Sequence, residues 1–260
     1  MARFVTAELG IKMPESKVSM IQSRLLHRVR QLGLASLDDY CEHLFSAEGA
    51  ESERFHFVDA ITTNKTDFFR EPAHFSYLTQ NILPQFRDRR ISLWSAACSS
   101  GEEPYTLAMV LSEFAAANPP FDFRILATDI STKVLQRAKE AIYSKQSIAP
   151  IPSALCRKYL LQSDDRASAR ITPALRRHVS FHRMNFMDPD YPVRQMFEVV
   201  FCRNVLIYFD RPTQQAVISK LCRNLIPGGY LFVSHSESLS GLDLPLDSLG
   251  ASCFRKQGSE

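Results

Sequence analysis

From about residue 90 onward, short apolar runs alternate with helical stretches, and this alternation limits the possible folds more than any other feature. Ile91–Ala97 and Phe123–Thr128 read as buried strands, with a helix over Glu103–Ala117 between them. Val179–Arg183, Glu198–Cys202 and Tyr230–Ser234 fit further strands, and Thr132–Ile142 and Pro212–Leu225 further helices. Strands that are apolar on both faces need cover on both sides, and strands joined through helices run parallel. The expected class is therefore α/β, a doubly wound sheet. Residues 143–178 interrupt the pattern with Pro150, Pro152, Pro173 and the polar stretch QSDDRAS, so an insertion is placed at about 143–180.

Residues 1–60 have a different character, helix after helix with no strand alternation. In 15–33 the apolar residues Val18, Ile21, Leu25, Val29 and Leu32 step by three or four and form one stripe facing a core. Gly33 suits the end of that helix, and a second short helix is expected over Ser36–Phe45. Lys17, Arg24 and Arg28 form another stripe, roughly 80° away on the same wheel. Five Lys/Arg stand against one Glu within residues 12–30. That stripe is either an ordinary solvated face or a docking face for an acidic helical partner, because clustered cations speed encounter with negative surfaces.

Composition closes off several classes. With 45% hydrophobic and 23% charged residues the chain is not disordered, and a net charge of +3 gives no general attraction to nucleic acid. The six cysteines are scattered without a CxxC or a His partner at metal-ligand spacing, which disfavours a disulfide scaffold and a structural metal. No apolar run approaches the ~18 residues of a membrane span, and the N-terminus lacks a signal pattern. A soluble cytoplasmic protein without membrane insertion is expected.

In open α/β sheets ligands bind beyond the carboxyl ends of the strands. After the first strand comes Cys98-Ser-Ser-Gly101-Glu102-Glu103-Pro104, one glycine followed by two acids at a helix start. A pyrophosphate site needs bare N–H groups there, so this loop suits a cationic ligand, unless the acids only complement the helix dipole. The absence of GxGxxG here disfavours a nicotinamide dehydrogenase. Asp129 ends the second strand, where nucleoside-binding folds place a ribose acceptor; it equally leads into Ser131 as a helix cap. Arg203, Asn204 and Tyr208 interrupt an apolar run, and buried polar groups need partners. The segment 62–70 is rich in hydrogen-bonding residues and reads either as ligand loop or as capped linker. Asn118-Pro-Pro-Phe121 has the look of a nucleic-acid amino-methyltransferase signature, but it falls between the first helix and the second strand and reads as a turn.

Taken together, TTNKTDFFRE (62–71), LWSAACSSGEEPYTLA (93–108), ILATDIS (125–131), FCRNVLIYFDRPTQ (201–214) and LIPGGYLFVSHSESL (225–239) resemble the chemotaxis receptor methyltransferase family, CheR, over nearly the whole chain. The resemblance implies an all-α N-terminal receptor-docking domain, residues 1–62. It implies a Rossmann-like S-adenosylmethionine-dependent methyltransferase domain over 63–260, carrying a small antiparallel β insertion. It assigns cofactor contacts to Asn64, Thr66, Arg70, Glu102, Asp129, Asn185, Phe186, Arg203 and Asn204, with S-adenosylhomocysteine as product. The implied reaction is methyl-ester formation on glutamates of chemoreceptor cytoplasmic helices, at membrane-bound receptor arrays, with Lys17, Arg24 and Arg28 docking the receptor. Methylation of another substrate and an inactive receptor adaptor are the alternatives. A glutamate side chain has a pKa of about 4.3 and is already a nucleophile near neutrality, so no general base is sought. Arg70 and Tyr208 are expected to orient it. The glycine-free insertion loop near 162–169 predicts weak or absent binding of a receptor tethering peptide.

Overall fold

The computed structural model describes residues 2–250 and 252–258, without the side chains of residues 2, 15, 17, 50 and 51. Five helices come first: α1 (Ala2–Leu9), α2 (Glu15–Gln31), α3 (Leu37–Phe45), α4 (Ala47–Ser52) and α5 (Arg54–Ile61). The short helix expected over Ser36–Phe45 is α3, and Ser36 caps it by accepting from the Asp39 amide. Ile21, Leu25 and Val29 of α2 pack with Val5, Tyr40, Leu44 and Phe57 into one apolar cluster. The stripe is shorter than the periodicity predicts, for its two ends, Val18 and Leu32, are exposed.

The basic stripe is used differently from the expectation. Arg28 forms a two-pronged pair with Glu53, at 2.8 and 2.6 Å, and Tyr40 donates to the same carboxylate at 2.9 Å. Arg24 donates to the Ile61 and Thr62 carbonyls at 3.1 and 3.2 Å, satisfying the open end of α5. Both guanidiniums therefore pin α2 to later segments, and Arg28 in particular is withdrawn from a free docking face. The side chain of Lys17 lies outside the described residues.

A helix α6 (Ala73–Tyr77) runs through a π turn into a short 3-10 turn ending at Phe86. The α/β part then follows in the order β1 (Arg90–Ala96), α7 (Glu102–Ala117), β2 (Asp122–Asp129), α8 (Thr132–Glu140), β3 (Ile142–Ser144), α9 (Ser153–Tyr159), β4 (Leu160–Gln162), β5 (Ser168–Ile171), α10 (Pro173–Arg176), β6 (Val179–Arg183), β7 (Phe197–Cys202), α11 (Arg211–Arg223), β8 (Leu225–Phe232), β9 (Leu246–Gly250) and β10 (Cys253–Lys256). Among the described residues, one sheet has the order β6-β2-β1-β7-β8-β10-β9, and a smaller antiparallel sheet, β3-β5-β4, forms the insertion. Strands β6 through β8 are parallel; β10 and β9 extend the sheet antiparallel.

Period-two alternation explains why the strands are apolar throughout. Leu93, Val199 and Phe232 point to a core shared with α7, whereas Trp94, Val200 and Leu231 point to one shared with α11. Asn118–Phe121 forms the turn between α7 and β2. Two strand readings differ from the expectation. Strand β8 begins at Leu225, ahead of the Pro227-Gly228-Gly229 turn signal, because an irregularity in its pairing with β7 absorbs the extra residues. The β9–β10 pair has no counterpart in the sequence reading: it is short, polar and at a sheet edge, where the apolar signal is weakest.

The Arg28–Glu53 pair has a measurable consequence. Burial alone would raise the Glu53 carboxyl, but the bonds from Arg28 and Tyr40 outweigh it and hold it below the usual range. Its stabilising contribution is therefore present above the unfolded value of about 4.3 and lost as pH falls through the lower folded value. Glu53→Ala should cost about 3–5 kcal/mol by leaving a cation without its partner. Chemical denaturation at pH 7 and pH 3.5 checks this: the gap between wild type and variant should narrow in acid, and an equal gap at both would exclude the pair as its source.

Candidate active site

The chain leaves β1 toward β2 and β6 on one side and reaches β7 and β8 on the other, so a crevice opens beyond β1 and β7. A cavity of about 270 Å³ occupies it. Its wall brings together Asn64, Thr66, Arg70, Asp129, Asn185, Phe186, Arg203, Asn204 and Tyr208 from four separated stretches of chain. Glu102, expected from the resemblance to contact the cofactor, does not line the cavity, whereas its neighbour Glu103 does. Successive residues on a helix point ~100° apart, so only one of the two acids can face the crevice. Glu102 is instead buried against Ser100, whose hydroxyl donates to it at 2.8 Å, and burial pushes its carboxyl up.

The loop after β1 is set by backbone geometry. Gly101 caps α7 at φ +97°, and a Cβ there would lie 2.8 Å from the Tyr143 hydroxyl oxygen and 2.9 Å from the Ala138 Cβ. No larger residue fits without displacement. Asp129 receives the Ser99 amide at 2.8 Å and the Ser131 amide at 3.0 Å, so it organises this loop while it lines the cavity. Burial pushes its carboxyl up, and the backbone donors oppose that rise. Ser131 also caps α8, accepting from the Val134 amide, so the helix-cap reading of this segment is realised.

Segment 62–71 is pinned along its length rather than left as a free linker. Ser99 donates to the Asn64 carbonyl at 2.8 Å, and the Phe69 amide donates to Thr106 at 3.1 Å. Phe68 is 1% exposed and meets Tyr143 edge to face. Burying a phenyl ring contributes roughly 1.5–3 kcal/mol, enough to hold Arg70 and Thr66 in place beside the crevice. The Arg70 guanidinium also donates to the Lys65 carbonyl, closing the segment on itself.

Arg203 is the cation at the base of the cavity. It donates to the Arg70 carbonyl at 2.5 Å, to Glu71 at 3.0 Å and to Glu103 at 3.3 Å, and it lies over the Phe75 and Phe201 rings. Glu103 also accepts from Ser95 at 2.7 Å; burial pushes its carboxyl up, against the pull of Arg203. For Glu71, burial is outweighed by the Ser234 and Arg203 bonds, which hold it below the usual range. Glu71, Ser234 and Glu237 are contributors to which the sequence alone assigns no role. The signal was present, since each lies in one of the quoted stretches next to a strand end or the 62–71 segment.

The helical part supplies the remaining wall. Leu9, Ile11, Met13 and Ile21 face the cavity. Asn185 donates to the Glu8 carbonyl at 2.7 Å, the Lys12 amide donates to the Tyr208 carbonyl at 2.9 Å, and Ile11 bridges Phe209. Nothing in the periodicity of the first helices announces this contact. It depends largely on the five-residue link between α1 and α2, 10–14, which carries no pattern of its own.

The comparisons agree with this architecture. Residues 1–62 match the family described as CheR methyltransferase, all-alpha domain, and residues 64–253 match CheR methyltransferase, SAM binding domain. The chain belongs to the CheR methyltransferase family. A probable chemotaxis protein methyltransferase of Rhizobium etli is 34% identical over 96% of this chain and 96% of its own length. A chemotaxis protein methyltransferase of Borreliella burgdorferi is 38% identical over 92% of this chain and 87% of its own. Chemotaxis protein methyltransferase 2 of Pseudomonas aeruginosa is 36% identical over 94% and 87%.

The protein is accordingly an S-adenosylmethionine-dependent methyltransferase, and the donor set fits that cofactor. Carboxylates at Asp129 and Glu103 suit ribose hydroxyls and a cationic sulfur, while the amides of Asn64, Asn185 and Asn204 suit the polar edges of a nucleoside amino acid. Asp129→Asn should weaken S-adenosylhomocysteine binding about tenfold or more, the loss of a hydrogen bond to a charged group. Titration calorimetry reads this directly, and an unchanged Kd would remove Asp129 from the cofactor contacts.

Proposed function

We propose that this protein methylates glutamate side chains on chemoreceptor cytoplasmic domains, forming carboxyl methyl esters in chemotaxis at membrane-bound receptor arrays. Its likeness to chemotaxis protein methyltransferases supports the pathway. The observation that carries the chemistry is that Arg70 and Tyr208 both line the cavity, among the cofactor-type donors. A carboxylate with a pKa of about 4.3 is ionised near neutrality, so the site needs to orient a nucleophile rather than deprotonate one.

S-adenosylmethionine supplies, when bound, a methyl group on a positively charged sulfur. Asp129 would hold its ribose hydroxyls, Asn64, Thr66, Asn185 and Asn204 would hold its remaining polar groups, and Phe186 would add an apolar contact. Arg70 receives the incoming carboxylate through charge-assisted hydrogen bonds and Tyr208 donates its hydroxyl to the same group. The apolar residues Leu9, Ile11 and Met13 exclude water from the mouth. Alignment of this kind supplies up to ~7–11 kcal/mol of barrier reduction. Arg203 lines the base of the cavity, and its donors are directed to Arg70, Glu71 and Glu103, so it shapes the wall.

The receptor docks on the face of α2 that bears Lys17 and Arg24, with Arg28 holding the helix to Glu53. A tethering peptide binds weakly or not at all, because the β4–β5 turn of the insertion is short and without glycine. A titration of that peptide should show no binding below micromolar concentration, and a sub-micromolar Kd would reverse this reading.

Transfer of labelled methyl groups to a panel of receptor cytoplasmic domains tests the whole assignment, with base-labile products expected. In that assay Arg70→Ala and Tyr208→Phe should each lower kcat by about 10- to 100-fold, the range for one hydrogen bond to a charged group. Lys17→Glu should raise KM for the receptor and leave cofactor affinity unchanged. Full kcat in both Arg70→Ala and Tyr208→Phe would remove these residues from the reaction, and base-stable products would remove the ester.

A further inference from the structure

After β8 the chain turns through Ser234-His-Ser-Glu237, and Glu237 is buried, at 9% exposure, with no cation bonded to it among the described residues. Its partners are peptide N–H groups. One carboxylate oxygen accepts from the Ser234 amide at 2.7 Å and the Asn204 amide at 3.0 Å. The other accepts from the Leu206 amide at 2.8 Å, and the Ile207 amide adds a further contact. A buried anion needs such donors, since burial without them costs several kcal/mol.

Three of these donors lie on one loop, Arg203–Tyr208, which runs from the end of β7 to the cavity wall. Asn204 stands there at φ +60°, a conformation that non-glycine residues adopt at a cost of about 1–3 kcal/mol and keep only when the surroundings fix it. Its side chain donates to the Ser234 hydroxyl at 2.7 Å, and that hydroxyl donates to Glu71 at 2.7 Å. The β8 loop is thus a platform on which the β7 loop is laid.

We propose that Glu237 is the positioning residue of methyl transfer: its carboxylate gathers the amides of Asn204, Leu206 and Ile207 and thereby sets Asn204 and Tyr208 at their places on the cavity wall. The part concerning Tyr208 rests on the function proposed above. A glutamine of the same size would not substitute. It has one acceptor oxygen, and its NH2 would meet the loop N–H groups donor to donor.

The test is Glu237→Gln in the full chain, alone and combined with Tyr208→Phe, read by hydrogen exchange and by methyl transfer. Exchange in a peptide covering residues 203–209 should rise about tenfold or more, with the β1 peptide unchanged. The kcat should fall about tenfold or more with receptor KM within about threefold, and the added loss in the Tyr208→Phe background should be under about threefold. Unchanged exchange, a rise spread through the whole domain, or equal kcat losses in both backgrounds would overturn the proposal. Exchange is independent of activity: if Tyr208→Phe alone keeps full kcat, the Tyr208 role fails, while the 203–209 result still decides whether Glu237 holds the loop. Should Glu237→Gln not fold, Glu237→Asp takes its place. It keeps the charge and should retain part of kcat with an intermediate exchange rate; wild-type behaviour in both would overturn the proposal.

Discussion

A single buried guanidinium holds the working end of this molecule together. Arg203 leaves β7 and reaches three other pieces of chain: the Glu103 turn of α7, the Glu71 side chain, and the Arg70 carbonyl of the segment joining the two parts. Isolated, such a charge would be costly, with an effective penalty of several kcal/mol for the buried ion. Two carboxylates, a carbonyl and two aromatic faces offset that penalty here. The geometry of the crevice follows from where those groups must stand to do so. The backbone around it is correspondingly unusual, with Phe69, Glu71, Ala97, Ser99 and Asn204 all at positive φ. Strain of this kind persists only where neighbouring contacts over-determine it.

Much of this was legible before any coordinates. Strands buried on both faces must be apolar throughout, so β1, β2 and β7 announced themselves within a residue or so of their observed ends. The acids after Gly101 excluded a pyrophosphate, and Asp129 lies at the strand end where a nucleoside acceptor belongs. The legible part was local, because periodicity and loop chemistry act within a few residues.

What the sequence hid depends on side-chain direction and on distant partners. Glu102 and Glu103 are chemically identical neighbours, and only the rotation of α7 relative to β7 decides which one meets Arg203. Arg24 and Arg28 look like a solvent-facing charge stripe on a helical wheel. Their partners at 61–62 and 53 lie 25 to 38 positions away and turn them inward. The short edge pair β9–β10 carried too little apolar signal to be read as strands.

The bond from Asn185 to the Glu8 carbonyl and the bridge from Ile11 to Phe209 tie the first helix to the reaction cleft at two points. Two folding patterns therefore share one chamber: the sheet furnishes its floor, and the opening turns of the chain furnish part of its rim. Severing the polypeptide at the junction would yield a floor without that rim, so the chamber belongs to neither part of the chain alone.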